Sequence, residues 1–236
     1  FWTECGYRVG AQRRKSDPKE PGAPLGTVVA SILGLLAFML GFTFNVAINR
    51  YDDRREAVLN EANAIGTTYL RADFFDNPAK EQTRKLLRQY VQLRVDGILP
   101  TPEFHQAIAR SEALQTELWA GATKLAKEHP TPISGLYISS LNEVIDMHCK
   151  RITLGLHSRV PLSVWLVLFA VSALAMASVG FYFGLSGNRS WAETIVLIVT
   201  FALVMLLVAD LDRPHEGLIK ASQQPMIDLQ KQLGPP

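Results

Sequence analysis

The sequence predicts an all-α membrane protein, and three observations predict it. Apolar residues concentrate in three long runs, at positions 25–48, 162–185 and 191–209. The polar stretches between and after them repeat their apolar residues at helical spacing, and no alternating β-branched run stands out. Prolines and glycines fall at the ends of these stretches, where helices start and stop. Over all 236 residues, 48% hydrophobic and 19% charged would suit a soluble protein, but most charges lie between Arg50 and Arg159. A net charge of +2 gives no basic field for binding nucleic acid.

The chain divides into five parts. Residues 1–24 read as a linker and the tail of an earlier membrane helix, expected upstream of Phe1. Phe1, Trp2 and Tyr7 suit an interface, Arg8, Arg13, Arg14 and Lys15 lie in water, and SDPKEPGAP forms a loop. Residues 25–48 carry no charge, and as a helix they reach roughly 36 Å, enough to cross about 30 Å of hydrocarbon. Residues 49–160 form a helical extramembrane block. Val58, Ala62, Ile65 and Tyr69 extend the first span out of the membrane as far as Asn77-Pro78. Leu86, Leu87, Tyr90 and Val91 mark a second helix, stopped by Gly97 and Pro100, and Thr101-Pro102-Glu103 starts a third. Tyr137, Leu141, Val144, Ile145, His148 and Ile152 stripe a fourth helix that leads towards Pro161. Residues 161–209 fold as a transmembrane hairpin around Asn188-Arg189-Ser190, and residues 210–236 form a tail that packs on the block.

One face of the first span carries the candidate site. Phe38, Phe42, Asn45 and Asn49 follow at steps of four, three and four, and the same side meets Asp52, Asp53 and Glu56 beyond the membrane. It grades from rings to amides to carboxylates, and lipid offers amides no partners.

Little else points to chemistry. His148 and His157 lack an intervening ligand pattern, no phosphate loop, nucleophile elbow or zinc-protease helix is present, and no cofactor is called for. Glu61 and Asp73 read as helix-surface or helix-pairing charges, and Asn63, between Ala62 and Ala64, as a polar bond at a close helix contact. Gly180 and Gly184 have the spacing that lets membrane helices approach. Glu193 suits the start of the last span. Cys5 and Cys149 fall on opposite sides of the membrane, so no disulfide is implied.

The run Leu40-Gly41-Phe42, with Phe38 four residues before Phe42 and Arg50 eight after it, resembles the second membrane helix of bestrophins. Residues 53–71, with Glu61-Ala62-Asn63-Ala64-Ile65-Gly66-Thr67-Thr68-Tyr69-Leu70-Arg71, resemble a bacterial group of membrane proteins termed bestrophin-like. Asp210-Leu211-Asp212-Arg213-Pro214 is similar to the acidic stretch after the fourth bestrophin membrane helix. The resemblance implies a pentameric ion channel whose hydrophobic neck falls on Gly34, Phe38 and Phe42. Asn45, Asn49, Asp52, Asp53 and Glu56 would then line the pore and its exit. Asp210, Asp212 and Pro214 mark the motif after the last span. The dense acidic calcium-binding run of animal bestrophins is absent here, so no metal site is expected. The resemblance and the larger count of Lys and Arg on the block side place the block in the cytoplasm of a bacterial inner membrane. The other reading of the same spans is a non-conducting scaffold or sensor whose block binds a partner.

Overall fold

A computed structural model describes residues 1–16, 22–96, 102–156, 158–187, 189–213 and 217–235. Among them the regular elements are helices: α1 (Trp2–Ser16), α2 (Gly22–Arg71), a 3₁₀ turn (Ala72–Phe74), α3 (Ala79–Asp96), α4 (Pro102–Glu128), α5 (Pro132–Leu156), α6 (Leu162–Ser186), α7 (Trp191–Asp212) and α8 (Gln224–Leu233). Three of them, α2, α6 and α7, are long and apolar enough to cross a membrane. The expected breaks at Gly97 and Pro100, together with Thr101, His157, Asn188 and Pro214, lie outside the described residues.

The chain forms two compact units. The first comprises residues 1–49 and 159–213. Leu36 and Leu40 of α2 pack with Leu168 and Ala175 of α6, flanked by Phe201, Val204 and Met205 of α7. The start of α6 and the end of α7 are tied by Asp212, whose Oδ1 accepts the Val160 N–H at 2.7 Å. Gly187 closes α6 in the left-handed conformation, φ 73°, which a residue with a Cβ adopts only at a cost.

The segment read as a linker is helical from Trp2 to Ser16 and lies along the last turns of α6. Gly180 and Gly184 do mark a close approach. Their partner is α1, which supplies Gly6 and Gly10 at the same spacing. A Cβ on Gly6 would strike the Ala177 carbonyl oxygen, and one on Gly180 the Thr3 carbonyl oxygen. Backbone therefore meets backbone at this crossing, which suits apolar surroundings where van der Waals packing carries helix association.

The second unit comprises residues 50–158 and 214–236. Its core joins Val58, Ala62, Ile65 and Tyr69 of α2 to Leu86, Leu87, Tyr90 and Val91 of α3, Leu118 of α4, and Tyr137, Leu141 and Val144 of α5. Met226, Leu229 and Leu233 of α8 enter the same core, and the Arg88 Nε donates to the Leu233 carbonyl at 2.9 Å. Asn63 is exposed and makes no buried polar contact. The close contact on this stretch is instead Gly66, where a Cβ would lie 3.5 Å from a Leu229 methyl.

Candidate functional site

At 100° per residue, α2 has two opposite sides along its whole length. Leu36, Leu40, Thr43, Ala47, Arg54, Val58, Glu61 and Ile65 lie on one side and are buried. Gly34, Phe38, Phe42, Asn45, Asn49, Asp52, Asp53 and Glu56 lie on the other and are exposed. Phe38 and Phe42 are 72% and 66% exposed, and a Cβ on Gly34 would meet nothing within 4 Å. The exposed stripe continues through Leu59, Asn63, Thr67 and Leu70.

Among the described residues, the amides of this face bond along the helix. The Asn49 Nδ2 donates to the Asn45 Oδ1 at 3.1 Å, and the Asn60 Nδ2 to the Glu56 Oε1 at 3.1 Å. A ladder of this kind satisfies one donor and one acceptor of each amide pair and leaves the rest facing outward. Arg55 beside the carboxylates is exposed, whereas Arg54 turns to the buried side. The carboxylates therefore outnumber the cations on the exposed face.

Of the motif residues after the last span, Asp210 and Asp212 are not brought to this face. Asp212 is buried and committed to the Val160 N–H, Asp210 lies half-buried in the last turn of α7, and Pro214 is outside the described residues. Among the described residues, no group of three His, Cys, Asp or Glu side chains could hold a metal ion.

Residues 8–226 match the Bestrophin-like domain. The chain belongs to the bestrophin-like family. This bestrophin-like chain also shares its fold with crystal structures of a bacterial bestrophin homolog from Klebsiella pneumoniae. One variant aligns with a TM-score of 0.73 at 14% identity, covering 98% of this chain and 94% of that one. A second aligns at 0.72 and 14%, over 98% and 95%. A structure described only as a membrane protein aligns at 0.70 and 14%, over 98% and 94%. No curated protein matches the sequence.

The bestrophin-like block also holds a polar cluster that the sequence reading missed. Of the two readings of Glu61, surface charge or helix-pairing charge, the second holds, and the side chain is fully buried. Its Oε1 accepts the Tyr90 hydroxyl at 2.8 Å and pairs with the Arg94 Nε at 2.9 Å, and its Oε2 accepts from Arg151 Nη1. The Gln115 Nε2 donates to the Tyr90 oxygen at 3.2 Å, and the Arg151 Nη2 donates to Gln223. One carboxylate thereby links α2, α3, α4, α5 and the segment before α8. Burial alone would raise the Glu61 pKa, but the Arg94 and Arg151 guanidiniums hold it below its ordinary value. The His148 Nδ1 lies 2.9 Å from the Tyr90 hydroxyl. That hydroxyl gives its own proton to Glu61, so its oxygen is left to accept a hydrogen from the His148 Nδ1. Burial, reinforced by Arg94 and only partly opposed by Glu61, lowers the His148 pKa to about 4. Asp73, by contrast, is a surface charge, paired with Lys80 at 2.7 Å and with Arg84.

Proposed function

We propose that the chain assembles into an oligomeric ion channel in which the exposed face of α2 lines a central pathway. One observation carries this reading: rings, amides and carboxylates share a face that is exposed among the described residues, while the opposite face is packed. A single chain cannot enclose a pore with one face of one helix, so several copies must surround it, and the bestrophin resemblance puts their number at five. Gly34, Phe38 and Phe42 then form a hydrophobic neck, where an ion sheds water and finds no polar atom in return. Asn45 and Asn49 line a wetter stretch, and Asp52, Asp53 and Glu56 set a negative exit that favours cations. The protein is read as a channel and not an enzyme, in a bacterial inner membrane, with the block in the cytoplasm. The scaffold reading would leave this face in contact with lipid or protein rather than water.

The test is access from water. With Cys5 and Cys149 replaced by Ser, an Asn49→Cys variant in planar bilayers should lose current when a charged methanethiosulfonate reagent is added. A conducting variant that the reagent leaves unchanged would overturn the assignment of this face.

A further inference from the structure

We propose that the groove between α3 and α4 is an interface between two copies of this chain, docked antiparallel about a twofold axis at Ala113 and Leu114. The groove encloses about 450 Å³, with Gln89 and Leu93 of α3 on one wall and Arg110, Ala113, Leu114 and Glu117 of α4 on the other. Its middle is apolar, and its two ends on α4 carry opposite charges. Arg110 and Glu117 are seven residues apart, so they share one face of α4 at a separation of roughly 10 Å along the helix. Both line the groove, both are exposed, and among the described residues neither makes a hydrogen bond or ion pair. No position three or four residues from either carries a charge, so neither has a mate on its own helix.

The complement to this pair of charges is on the chain itself. Reversing a helix exchanges its two ends, so a second α4 laid antiparallel sets the partner's Glu117 against Arg110 and the partner's Arg110 against Glu117. A parallel arrangement would set arginine against arginine and glutamate against glutamate, so charge selects the direction. The midpoint of the pair falls between Ala113 and Leu114. There the small Ala113 lets the two helix axes approach, and the half-buried Leu114 closes the apolar middle. Each α3–α4 pair supplies two helices, and two such pairs make a four-helix arrangement around the seam. A twofold contact uses the same patch on both chains, whereas neighbours in a ring of five meet through two different patches. The contact therefore joins chains of two separate assemblies, and it stands whether or not those assemblies conduct.

Charge exchange tests this on the full chain in detergent, with masses read by light scattering after gel filtration. At low salt the unaltered chain should give a species of twice the mass of the single assembly, and high salt should split it. Arg110→Glu and Glu117→Arg, each alone, bring like charges together and should weaken the doubling about tenfold. Arg110→Glu combined with Glu117→Arg restores opposite signs and should restore the doubling. A twofold axis also brings a residue beside its own copy. With Cys5 and Cys149 replaced by Ser, Ala113→Cys should form a disulfide-linked dimer under mild oxidant, whereas Ala120→Cys, about two turns from the axis, should not. An unaltered chain that never doubles, single variants that double as well as the parent, or a charge-exchanged chain that stays single would each overturn the proposal. The last outcome would mean that a different partner faces the two charges. Linking through position 120 and not through 113 would overturn it as well.

Discussion

The Tyr90 hydroxyl donates to the Glu61 Oε1 at 2.8 Å and stands 2.9 Å from the His148 Nδ1, joining α2, α3 and α5 through one oxygen. Around it two guanidiniums share a single carboxylate. Removing that carboxylate leaves Arg94 and Arg151 buried together without compensation. Glu61→Gln should therefore destabilise the block by about 3–5 kcal/mol. Thermal unfolding in detergent, followed by circular dichroism, measures it. A melting temperature within a degree of the parent would contradict the role given to the cluster.

The same cluster sets a pH dependence. The folded pKa of His148, about 4, lies below the ordinary value of 6.5, so the unfolded chain binds a proton that the folded chain refuses. Stability from this group is full above pH 6.5 and falls as pH drops towards 4, by on the order of 3 kcal/mol. Glu61, whose folded pKa is lowered, adds a further loss as pH falls below 4.5. Between pH 6.5 and 4.5, His148→Gln should flatten the fall in melting temperature. An unchanged slope would place the titrating group elsewhere.

Calcium should not gate the protein in the micromolar range. Sensors in that range gather six to eight oxygen ligands, and here the Asp212 carboxylate already accepts the Val160 N–H. Ion flux from liposomes should be the same in calcium and in chelator. A flux that appears only with calcium, and disappears in Asp210→Ala, would contradict this.

The orientation is measurable in whole cells. The proposed topology puts the turn after α6 on the side opposite the block. With both native cysteines removed, Ser186→Cys should react with an impermeant thiol reagent from outside and Asp76→Cys should not. The reverse pattern would invert the topology. Cys5 is a poor reporter, because it lines a groove beside Ala177 and Phe181 instead of standing in a loop.

The two-sidedness of α2 was legible because a helix repeats every 3.6 residues, and its amides and rings share one phase of that repeat. The close contact of α6 was half legible: Gly180 and Gly184 show in an apolar run, whereas Gly6 and Gly10 are diluted by charges that lie off the contact. The partners of Glu61 were missed because a lone carboxylate in a polar block suits a surface as well as a helix contact. Phase carried the signal. Glu61 falls between Val58 and Ile65 on the packed side of α2, Arg94 is four residues after buried Tyr90, and Arg151 three after buried His148. The bond from Asp212 to Val160 had no local signal, since it spans 52 positions and depends on the hairpin closing.

Opening the neck tests the channel reading most directly. Phe38 and Phe42 are separated by one turn, roughly 6 Å along α2, and neither ring is packed within its own chain. In an oligomer they would form two stacked apolar rings. Phe38→Ala together with Phe42→Ala should raise ion flux from reconstituted liposomes several-fold while the oligomer keeps its size on gel filtration. Unchanged flux with a dissociated or weakened oligomer would make both rings packing residues and contradict the channel.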